Sequence, residues 1–208
     1  MPAPGWPASL VCGRVGLRPL RLRDNASWVD LRLRNQRWLQ PWEGRQPGLP
    51  QASWEERHTT SGFTAMLRAL RRESRLGLSL PFAVTYDGQL VGQLTVAGIH
   101  RGAAQSATIG YWIDESHAGR GITPTAVAMA VDHCFARVGL HRVEISIRPD
   151  NRASLRVVEK VGFRDEGVHQ RLLYIDGSWC DHRCFALTVE DQPDGLLRGL
   201  LTTVSDSP

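Results

Sequence analysis

A glycine turn between an apolar strand and an apolar helix holds the residue types best suited to chemistry. β-Branched and aromatic residues between Thr108 and Ile113 predict the strand, and small apolar residues after Pro124 predict the helix. Between them, Gly119 and Gly121 let a ligand approach backbone N–H groups that lie beside the positive end of the helix dipole. That arrangement suits a phosphate or pyrophosphate, although a Gly-x-Gly turn before a helix is equally often just a tight connection.

A second group of potential ligands lies near the C-terminus, where Cys180, His182 and Cys184 alternate along the chain. In a strand these three side chains would share one face, as a metal site requires. A fourth ligand and the usual Cys-x-x-Cys spacing are missing, so we predict ordinary strand packing and no metal. The 4 cysteines of the chain are also no disulfide framework, since no secretory signal accompanies them.

The size and composition of the chain indicate a soluble globular protein. It has 208 residues, of which 42% are hydrophobic and 22% are charged, which is enough for one buried core. No apolar run approaches the roughly 18 residues that cross a bilayer, and the first residues do not resemble a signal peptide. We therefore expect no membrane association and a cytoplasmic location.

The charge of the chain is modestly basic, with a formal net value of +4. Among its 25 basic residues Lys160 is the one lysine, and the arginines are interleaved with Asp and Glu without any block of five or six like charges. Nucleic-acid binding is therefore not expected, whereas a small anionic ligand would still be attracted.

The N-terminal half of the chain predicts one strand, two helices and a hairpin. We expect the strand over residues 15–22, and Pro19 places it at a sheet edge because proline donates no hydrogen bond. Asp24 is suited to cap a helix that runs to residue 39, and a Ser-x-x-Glu capping box starts a second helix over residues 53–75. The dipeptide Asp-Gly then predicts a hairpin over residues 80–99.

The C-terminal half predicts helices and strands that complete one mixed sheet. A helix over residues 123–138 follows the glycine turn, and a strand over 141–148 precedes a short helix over 151–161. A second hairpin is expected over residues 163–189. The order contains about seven strands and four helices, which is typical of an α/β fold with one mixed sheet.

This order predicts a single domain with two short extensions. We assign residues 12–190 to the domain and residues 1–11 to a Pro-rich flexible segment. Residues 191–208 form a tail that is partly helical or disordered, since its leucines recur at helical spacing.

The segment over residues 40–50 is too rich in Pro and Gly for regular structure. It carries Trp42 and Glu43, which are unusual residues for a simple connection. Two interpretations are open: the segment is a loop that faces a substrate, or it joins two helices.

Three motifs follow one another along the chain. They are Gly110-Tyr111-Trp112-Ile113-Asp114-Glu115-Ser116-His117 with Gly119-Arg120-Gly121-Ile122, Asn151-Arg152-Ala153-Ser154 with Glu159-Lys160-Val161-Gly162-Phe163, and Ile175-Asp176-Gly177-Ser178-Trp179 with Asp181-His182. In their order and spacing these motifs resemble those of the GNAT acetyltransferases and in particular their RimJ/RimL branch. The resemblance covers roughly residues 14–190.

The resemblance implies a GNAT fold that binds acetyl-CoA where two central strands splay apart. The backbone over residues 118–122 would hold the pyrophosphate, and the strand before it would bind the pantetheine arm like an added strand. The implied cofactor-binding residues are Trp112, Ile113, Ala118, Gly119, Arg120, Gly121, Ile122, Thr123, Asn151 and Ser154.

The resemblance also implies the catalytic role of Ser154, which would protonate or hydrogen-bond the CoA sulfur, while Asn151 contacts CoA. Many GNAT enzymes use a tyrosine one turn later, and that position is Val158 here. From the residues alone, a simpler interpretation is that Asn151 caps a helix and Ser154 is an ordinary residue of its first turn.

The general base is less clear, because the two positions where relatives place a glutamate are Thr108 and Leu173 here. The remaining candidates are Glu43, Asp114, Glu115 and His117, of which the last three also fit a solvated turn. An α-amine has a pKa near 8, so a substantial fraction is already neutral and a weak base suffices.

The function implied is acetyl transfer from acetyl-CoA to a primary amine by direct attack in a ternary complex. The expected acceptor is the α-amine of a protein N-terminus, notably of a ribosomal protein, and Trp42, Glu43 and Tyr174 are expected to form its binding wall. A small-molecule amine, a lysine side chain, and a non-catalytic acyl-CoA-binding module are the alternatives. The protein is expected to be a monomer or a homodimer.

Overall fold

All strands in the described part of the chain belong to one mixed sheet. A computed structural model describes residues 3–48 and 52–197. Its strands are β1 (Leu10–Cys12), β2 (Val15–Pro19), β3 (Leu80–Tyr86), β4 (Gln89–His100), β5 (Ser106–Ile113), β6 (Arg142–Ile147), β7 (Arg164–Ile175) and β8 (Ser178–Thr188). They lie in the order β1-β2-β3-β4-β5-β6-β8-β7, so that the sheet contains one strand more than the sequence predicts.

Helices cover both faces of this sheet. They are α1 (Asn25–Arg34), α2 (Gln36–Leu39), α3 (Trp54–Arg57), α4 (Thr60–Arg75), α5 (Ile122–His133), which continues as a π-helical turn to Val138, and α6 (Arg152–Val161). Trp28 of α1 and Phe63 of α4 pack on one face of the sheet. The apolar residues of α5 and α6 pack on the opposite face, where most of the core lies.

The central strands β5 and β6 are parallel and pair only at their beginnings. Their register runs from Ser106 opposite Arg142 to Thr108 opposite Glu144, and then the two strands diverge. Beyond this point β5 stays paired with β4 as far as Ile113, and β6 stays paired with β8 as far as Ile147. The expected splayed pair is therefore confirmed, and it leaves one edge of β5 without a strand partner in the described structure.

Side chains of β5 alternate between the two apolar layers, as the period of a strand requires. Ile109 and Ile113 are buried with α5 and α6, whereas Trp112 packs against the layer formed by α1 and α4. The edge of β5 that faces the gap is therefore held rigidly from both sides of the sheet.

The prediction that the strand containing Pro19 lies at an edge is wrong. The short strand β1 pairs with β2, from Leu10 opposite Leu17 to Cys12 opposite Val15. Pro19 lies beyond these pairs, so its missing N–H group costs no hydrogen bond to β1.

The segment before β1 also contacts the core. The ring of Trp6 packs edge-on against Phe82 at 5.0 Å, and Nε2 of His133 lies 2.7 Å from the carbonyl oxygen of Gly5. The domain boundary expected at residue 12 therefore falls inside β1, while the flexibility of residues 1–11 stays a prediction.

The first predicted helix is divided, and Asp24 does not cap it. The Asp24 carboxylate instead accepts hydrogen bonds from the Arg18 guanidinium at 2.7 and 2.8 Å and from the N–H group of Arg21 at 2.8 Å. The helix ends at Arg34, and a short second helix, α2, starts after Asn35.

The second predicted helix is also divided. The capping box of Ser53 and Glu56 is confirmed, but it starts only the single turn α3. A new cap then starts α4, where the Thr59 hydroxyl accepts a hydrogen bond from the N–H group of Gly62 at 3.0 Å. Gly62 therefore lies in a first turn and not in the middle of a helix.

The beginning of the C-terminal tail docks on α5. The N–H groups of Leu196 and Leu197 donate to the Asp132 carboxylate at 2.8 and 3.2 Å, and the Leu196 side chain is buried. Leu200 and Leu201, which belong to the same predicted helical pattern, lie outside the described residues. No helix in the described part of the chain is long and apolar enough to cross a membrane.

Replacing Gly92 should distort the edge of β5. A Cβ atom at Gly92 would clash with the carbonyl oxygen of Trp112 and lie 3.1 Å from the Cα atom of Ile113. We expect Gly92→Ala to lower the free energy of unfolding by about 1–3 kcal/mol, because overpacked sites strain the backbone. Chemical denaturation measures this change. Gly110→Ala is the matched control, since nothing lies within 4 Å of its added Cβ, and an equal loss of stability in both variants would contradict the steric explanation.

Candidate active site

A cleft of about 780 Å³ opens where β5 and β6 diverge. Its walls come from the end of α1 and the chain that follows it, the free edge of β5 with part of β4, the glycine turn before α5, and one side of α6. The predicted site residues that line it are Trp42, Glu43, Trp112, Ile113, Ala118, Gly119, Gly121, Ile122, Thr123, Asn151 and Ser154.

The glycine turn points a row of backbone donors into this cleft. Gly119 and Gly121 have φ angles of 77° and 76°, which favour glycine, and no atom lies within 4 Å of where their Cβ atoms would be. Thr125 is the first residue of α5 whose N–H group bonds within the helix, to the carbonyl oxygen of Gly121 at 3.2 Å. Pro124 has no N–H group and that of Ala118 donates to the carbonyl oxygen of Glu115, so the N–H groups of residues 119–123 are the ones available to an anion at the helix N-terminus.

A buried carboxylate, Asp114, holds this turn against the end of α1. It accepts hydrogen bonds from Asn35 Nδ2 at 2.8 Å, Arg34 at 2.8 Å and Ser116 Oγ at 2.7 Å, and His117 Nδ1 lies 2.9 Å away. Burial alone would raise the pKa of Asp114, but these donors outweigh it and lower the pKa well below its usual range. Asp114 therefore positions the turn as a fixed anion and is a poor proton acceptor.

The free edge of β5 offers backbone groups to an extended ligand. The open space beside Gly110 leaves room for such a ligand against this edge. Further along the strand, Trp38 Nε1 donates to the carbonyl oxygen of Ile113 at 3.1 Å and anchors α2 to the mouth of the cleft. A flexible chain that contains amide groups fits such an edge in the manner of an added strand.

Asn151 and Ser154 meet at the start of α6. Asn151 Oδ1 accepts a hydrogen bond from the N–H group of Ser154 at 3.1 Å, so Asn151 does cap this helix. The Asn151 Nδ2 atom and the Ser154 hydroxyl have no hydrogen-bond partner among the described residues, and both residues line the cleft. Val158 is fully buried in the core, so Ser154 is the residue of α6 that presents a hydroxyl group here.

Glu43 lies in the cleft between two arginines. Its carboxylate pairs with Arg32 and, at 2.7 Å, with Arg57, while His58 Nε2 lies 3.5 Å away. Burial would raise the pKa of Glu43, but the hydrogen bond from His58 and the charges and hydrogen bonds of the two arginines lower it to about 2. Glu43 is therefore ionised at neutral pH and is a weak base.

The arginine that binds Glu43 is itself enclosed by aromatic rings. The Arg32 guanidinium lies 5.6 Å from the ring centroid of Trp28, 4.7 Å from that of Trp54 and 5.2 Å from that of Trp112. Cation–π attraction stabilises a charge in such a cage. Arg32 therefore fixes Glu43 and the loop that carries it relative to β5.

The loop around Trp42 is part of the cleft wall and not merely a connection. Arg45 donates from its N–H group to the carbonyl oxygen of Tyr174 at 2.8 Å, and Gly44 bridges to Ile175. Arg148 donates to the carbonyl oxygen of Pro41 at 3.1 Å and lies over the ring of Trp42 at 5.5 Å. These contacts tie the loop to β7 and to the chain before α6.

Besides Asp114, three predicted site residues lie outside the lining of the cleft. Tyr174 supports the Trp42 loop through its carbonyl oxygen, while its ring packs on Trp179 at 5.7 Å. Glu115 is exposed, and its N–H group donates to Asn35 Oδ1 at 2.9 Å. Arg120 is exposed at the tip of the glycine turn. The structure thus places Ser154 and Trp42 in the wall of one cleft, whereas Glu115 does not line it.

Sequence reasoning missed a basic stripe along α6. Arg152, Arg156 and Lys160 line the cleft at helical spacing, and within the described residues they pair with no carboxylate. The signal was present in the sequence, since residues i, i+4 and i+8 share one face of a helix. Such a stripe suits further phosphate groups of a ligand that is bound at the glycine turn.

The alternating Cys180, His182 and Cys184 pack as strand residues. His182 is buried, and its Nδ1 atom lies 3.0 Å from the carbonyl oxygen of Cys180. Burial lowers the pKa of His182. In the described part of the chain, no group of three or more His, Cys, Asp or Glu side chains is arranged to hold a metal ion.

The fold and the cleft are those of the N-acyltransferase class, because a splayed strand pair meets a glycine turn at a helix N-terminus that is suited to a phosphate. Residues 14–164 match the family described as acetyltransferase (GNAT) domain. The chain therefore belongs to the GNAT acetyltransferases and is an acetyl-CoA-dependent N-acetyltransferase.

Similar proteins place it in the RimJ/RimL branch of that family. The structure of Mycobacterium smegmatis RimJ in complex with CoA-disulfide is 42% identical, covers 97% of each chain and superposes with a TM-score of 0.92. The [ribosomal protein uS5]-alanine N-acetyltransferase of Escherichia coli (strain K12) is 26% identical over 89% of this chain and 93% of that protein. The probable N-acetyltransferase YjcK of Bacillus subtilis (strain 168) is 42% identical over 105 residues, which span 50% of this chain and 58% of YjcK.

Replacing Glu43 should destabilise the protein in a pH-dependent way. A carboxyl pKa lowered to about 2 contributes stability above pH 4.5 and loses it as the pH falls toward 2. We expect Glu43→Gln to lower the free energy of unfolding by roughly 3 kcal/mol at pH 7, and the difference from wild type to shrink below pH 4. Urea unfolding at several pH values measures both effects.

The exposed Glu55 provides a matched control, since it forms no ion pair in the described structure. Glu55→Gln should change stability by no more than about 0.5 kcal/mol at any pH. A Glu43→Gln loss that does not depend on pH would contradict the ionised role of Glu43.

Proposed function

We propose that this protein transfers the acetyl group of acetyl-CoA to the N-terminal α-amine of a protein, with a ribosomal protein as the acceptor. One observation carries the proposal: the free edge of β5 leads directly into a phosphate-binding turn within a single cleft. The similarity to a ribosomal-protein alanine acetyltransferase over most of both chains supports the acceptor class.

The residues of the cleft fit acetyl-CoA from end to end. The glycine turn would hold the pyrophosphate, and the basic stripe on α6 would neutralise the remaining phosphate charge. The edge of β5 from Gly110 to Ile113 would bond the amide groups of the pantetheine arm. Acetyl-CoA supplies the activated acetyl group, and no metal is required for the proposed transfer.

The transfer is a direct attack of the acceptor amine on the thioester carbonyl carbon. An N–C bond forms, the C–S bond breaks, and the amine loses a proton to water or to a nearby base. A backbone N–H group on the free edge of β5 would stabilise the negative charge that develops on the carbonyl oxygen. The CoA thiolate leaves and takes up a proton.

Ser154 would assist the departure of that thiolate. Its hydroxyl lines the cleft and makes no hydrogen bond to the described residues, so it is available to the sulfur. A hydrogen bond to a thiolate matters most when negative charge develops there, which lowers the barrier without tightening ground-state binding.

The acceptor amine would enter beside the Trp42 loop, opposite the glycine turn. Glu43 is held as an anion by Arg32 and Arg57, so its role would be to fix this wall and attract an amine. Because an α-amine has a pKa near 8, a substantial neutral fraction reaches the site at physiological pH. A water molecule then suffices to accept the proton that is released.

Acceptor choice provides the direct test of this function. We expect CoA release and acetylated product with peptides that begin with Ala or Ser, because a free α-amine is partly neutral at pH 7.5. The same peptides with a blocked N-terminus and an internal lysine should react at least tenfold more slowly, since a lysine amine has a pKa near 10.4. Thiol release and peptide mass spectrometry measure both rates. Turnover of lysine or small amines alone would overturn the proposed acceptor.

Replacing Ser154 should slow the chemical step. We expect Ser154→Ala to lower kcat by roughly 10- to 100-fold while the KM for acetyl-CoA changes by less than about threefold, because the lost contact is made in the transition state. Ser146→Ala is the matched control, since Ser146 lies on β6 outside the cleft lining. A large rise in KM with unchanged kcat would show that Ser154 only binds acetyl-CoA.

A further inference from the structure

The arginines of this protein are divided sharply between paired and unpaired positions. A large set forms ion pairs with carboxylates across the molecule: Arg14, Arg18, Arg32, Arg34, Arg57, Arg142, Arg148, Arg164 and Arg183. Many of the arginines without a carboxylate partner in the described structure gather on two separate surfaces. Arginines that alternate with acidic residues along the sequence are therefore unevenly distributed in space.

The first of these surfaces is the stripe of Arg152, Arg156 and Lys160 along the cleft. Its purpose follows from the proposed function, because a ligand with several phosphate groups supplies the missing negative charge. A second surface of unpaired basic side chains is suited, for the same reason, to a ligand with several phosphate groups.

The second surface, which we name the α4 basic face, consists of Arg68, Arg71, Arg72, Arg75 and Arg21. The four arginines of α4 are exposed and lie at positions i, i+3, i+4 and i+7 of the helix. They share one side of it and extend over about 10 Å along its axis. The opposite side of α4, with Phe63 and Leu67, is buried against the sheet.

Tertiary structure adds Arg21 to this face. Arg21, which precedes α1, lines a groove of about 380 Å³ together with Arg71 and Arg75. The groove contains no carboxylate among its lining residues, and its floor is formed by Trp6, Pro7, Pro19, Leu20, Leu67 and Pro81. Three arginines from two distant parts of the chain thus line one groove.

Nothing in the described structure offsets this concentration of charge. Like charges at i, i+3 and i+4 repel one another and destabilise a helix. Glu73 is the one acidic residue of α4, and it forms no ion pair among the described residues. A bound polyanion would supply the counter-charges, and arginine is suited to phosphate through its planar fork of donors.

We propose that the α4 basic face binds the phosphate backbone of RNA. A row of guanidinium groups that form no ion pair in the described structure suits a ligand that repeats its negative charge along its length, as a polynucleotide does. The choice of RNA rests on the proposed function, because an acceptor that belongs to the ribosome is found beside RNA. An acidic protein segment is the competing ligand for the same charges.

The position of this face is compatible with simultaneous acetyl transfer. α4 contacts α1 and packs on the same face of the sheet. α1 contributes Arg32 to the acceptor side of the cleft. RNA bound on the outer side of α4 would therefore leave the cleft open and hold an RNA-associated acceptor close to the Trp42 loop.

The test measures the affinity of the full chain for a short fluorescein-labelled single-stranded RNA by fluorescence anisotropy. Saturating CoA is present throughout, so that the phosphate-binding cleft is filled. We expect the affinity of wild type to fall by about 100-fold between 50 and 200 mM salt, since each phosphate contact adds about 0.7 to the salt slope. In R68Q/R71Q/R75Q the slope should decrease by about 2 and the affinity at 100 mM salt by at least tenfold.

Two further variants test whether a loss of RNA affinity comes from the position of the replaced arginines, and not from a lower net charge or from misfolding. R101Q/R137Q/R171Q removes the same charge from exposed positions elsewhere and should bind RNA within about twofold of wild type. R68K/R71K/R75K retains the charge and should keep most of the salt slope. Equal losses in both glutamine variants, or tighter binding of a polyglutamate peptide than of RNA, would overturn the proposal.

The rate of acetyl transfer to a free peptide is measured as well, so that a failure of this inference can be distinguished from a failure of the proposed function. All three variants should retain wild-type turnover, because none of the replaced residues lines the cleft. Normal turnover without RNA binding would refute the α4 basic face alone. RNA binding without turnover on any amine would refute the proposed function alone.

Discussion

The loss of pairing between β5 and β6 is the constraint on which the rest of this structure depends. After Thr108, the two strands separate, and β5 keeps only β4 as a partner. Backbone N–H and C=O groups need partners, so a free edge inside a fold is tolerable where water or a ligand can reach it. The same separation lets the glycine turn and the N-terminus of α6 face one cleft. A single interruption of the sheet therefore opens the cleft in which we propose that acetyl-CoA binds.

Two ionised carboxylates stabilise the cleft from opposite ends, and neither is suited to act as a base. Asp114 joins the start of the glycine turn to Asn35 at the end of α1. Glu43 joins the Trp42 loop to Arg32, which lies within its cage of tryptophan rings. In both, several donors outweigh the cost of burial and lower the carboxyl pKa. Their low basicity is compatible with a substrate amine that is partly neutral before it binds.

Sequence by itself determined the elements with strong local signals. The hairpin at Asp87-Gly88, the capping box of Ser53, and the glycines at 119 and 121 depend on backbone preferences within a few residues, and each is found in the structure. The order of the predicted elements indicated one mixed α/β sheet, whereas the acetyltransferase fold and most of the predicted cleft residues came from the resemblance of three motifs to the GNAT family. Boundaries were less accurate, since the residues at the breaks contact distant parts of the chain: Asn35 bonds to Asp114, and His58 lies against Glu43 and Trp28.

Only the tertiary structure decided the roles that depend on contacts between distant residues. The Trp42 loop forms a wall of the cleft because a backbone hydrogen bond joins it to Tyr174, and Glu115 lies outside the lining of the cleft. The tertiary structure also separated charges that alternate in the sequence, bringing Arg21 beside α4 while pairing other arginines with carboxylates. Local pattern predicts which face of a helix or strand a residue occupies. Whether that face meets a partner, solvent or a ligand depends on packing between segments, which no local pattern contains.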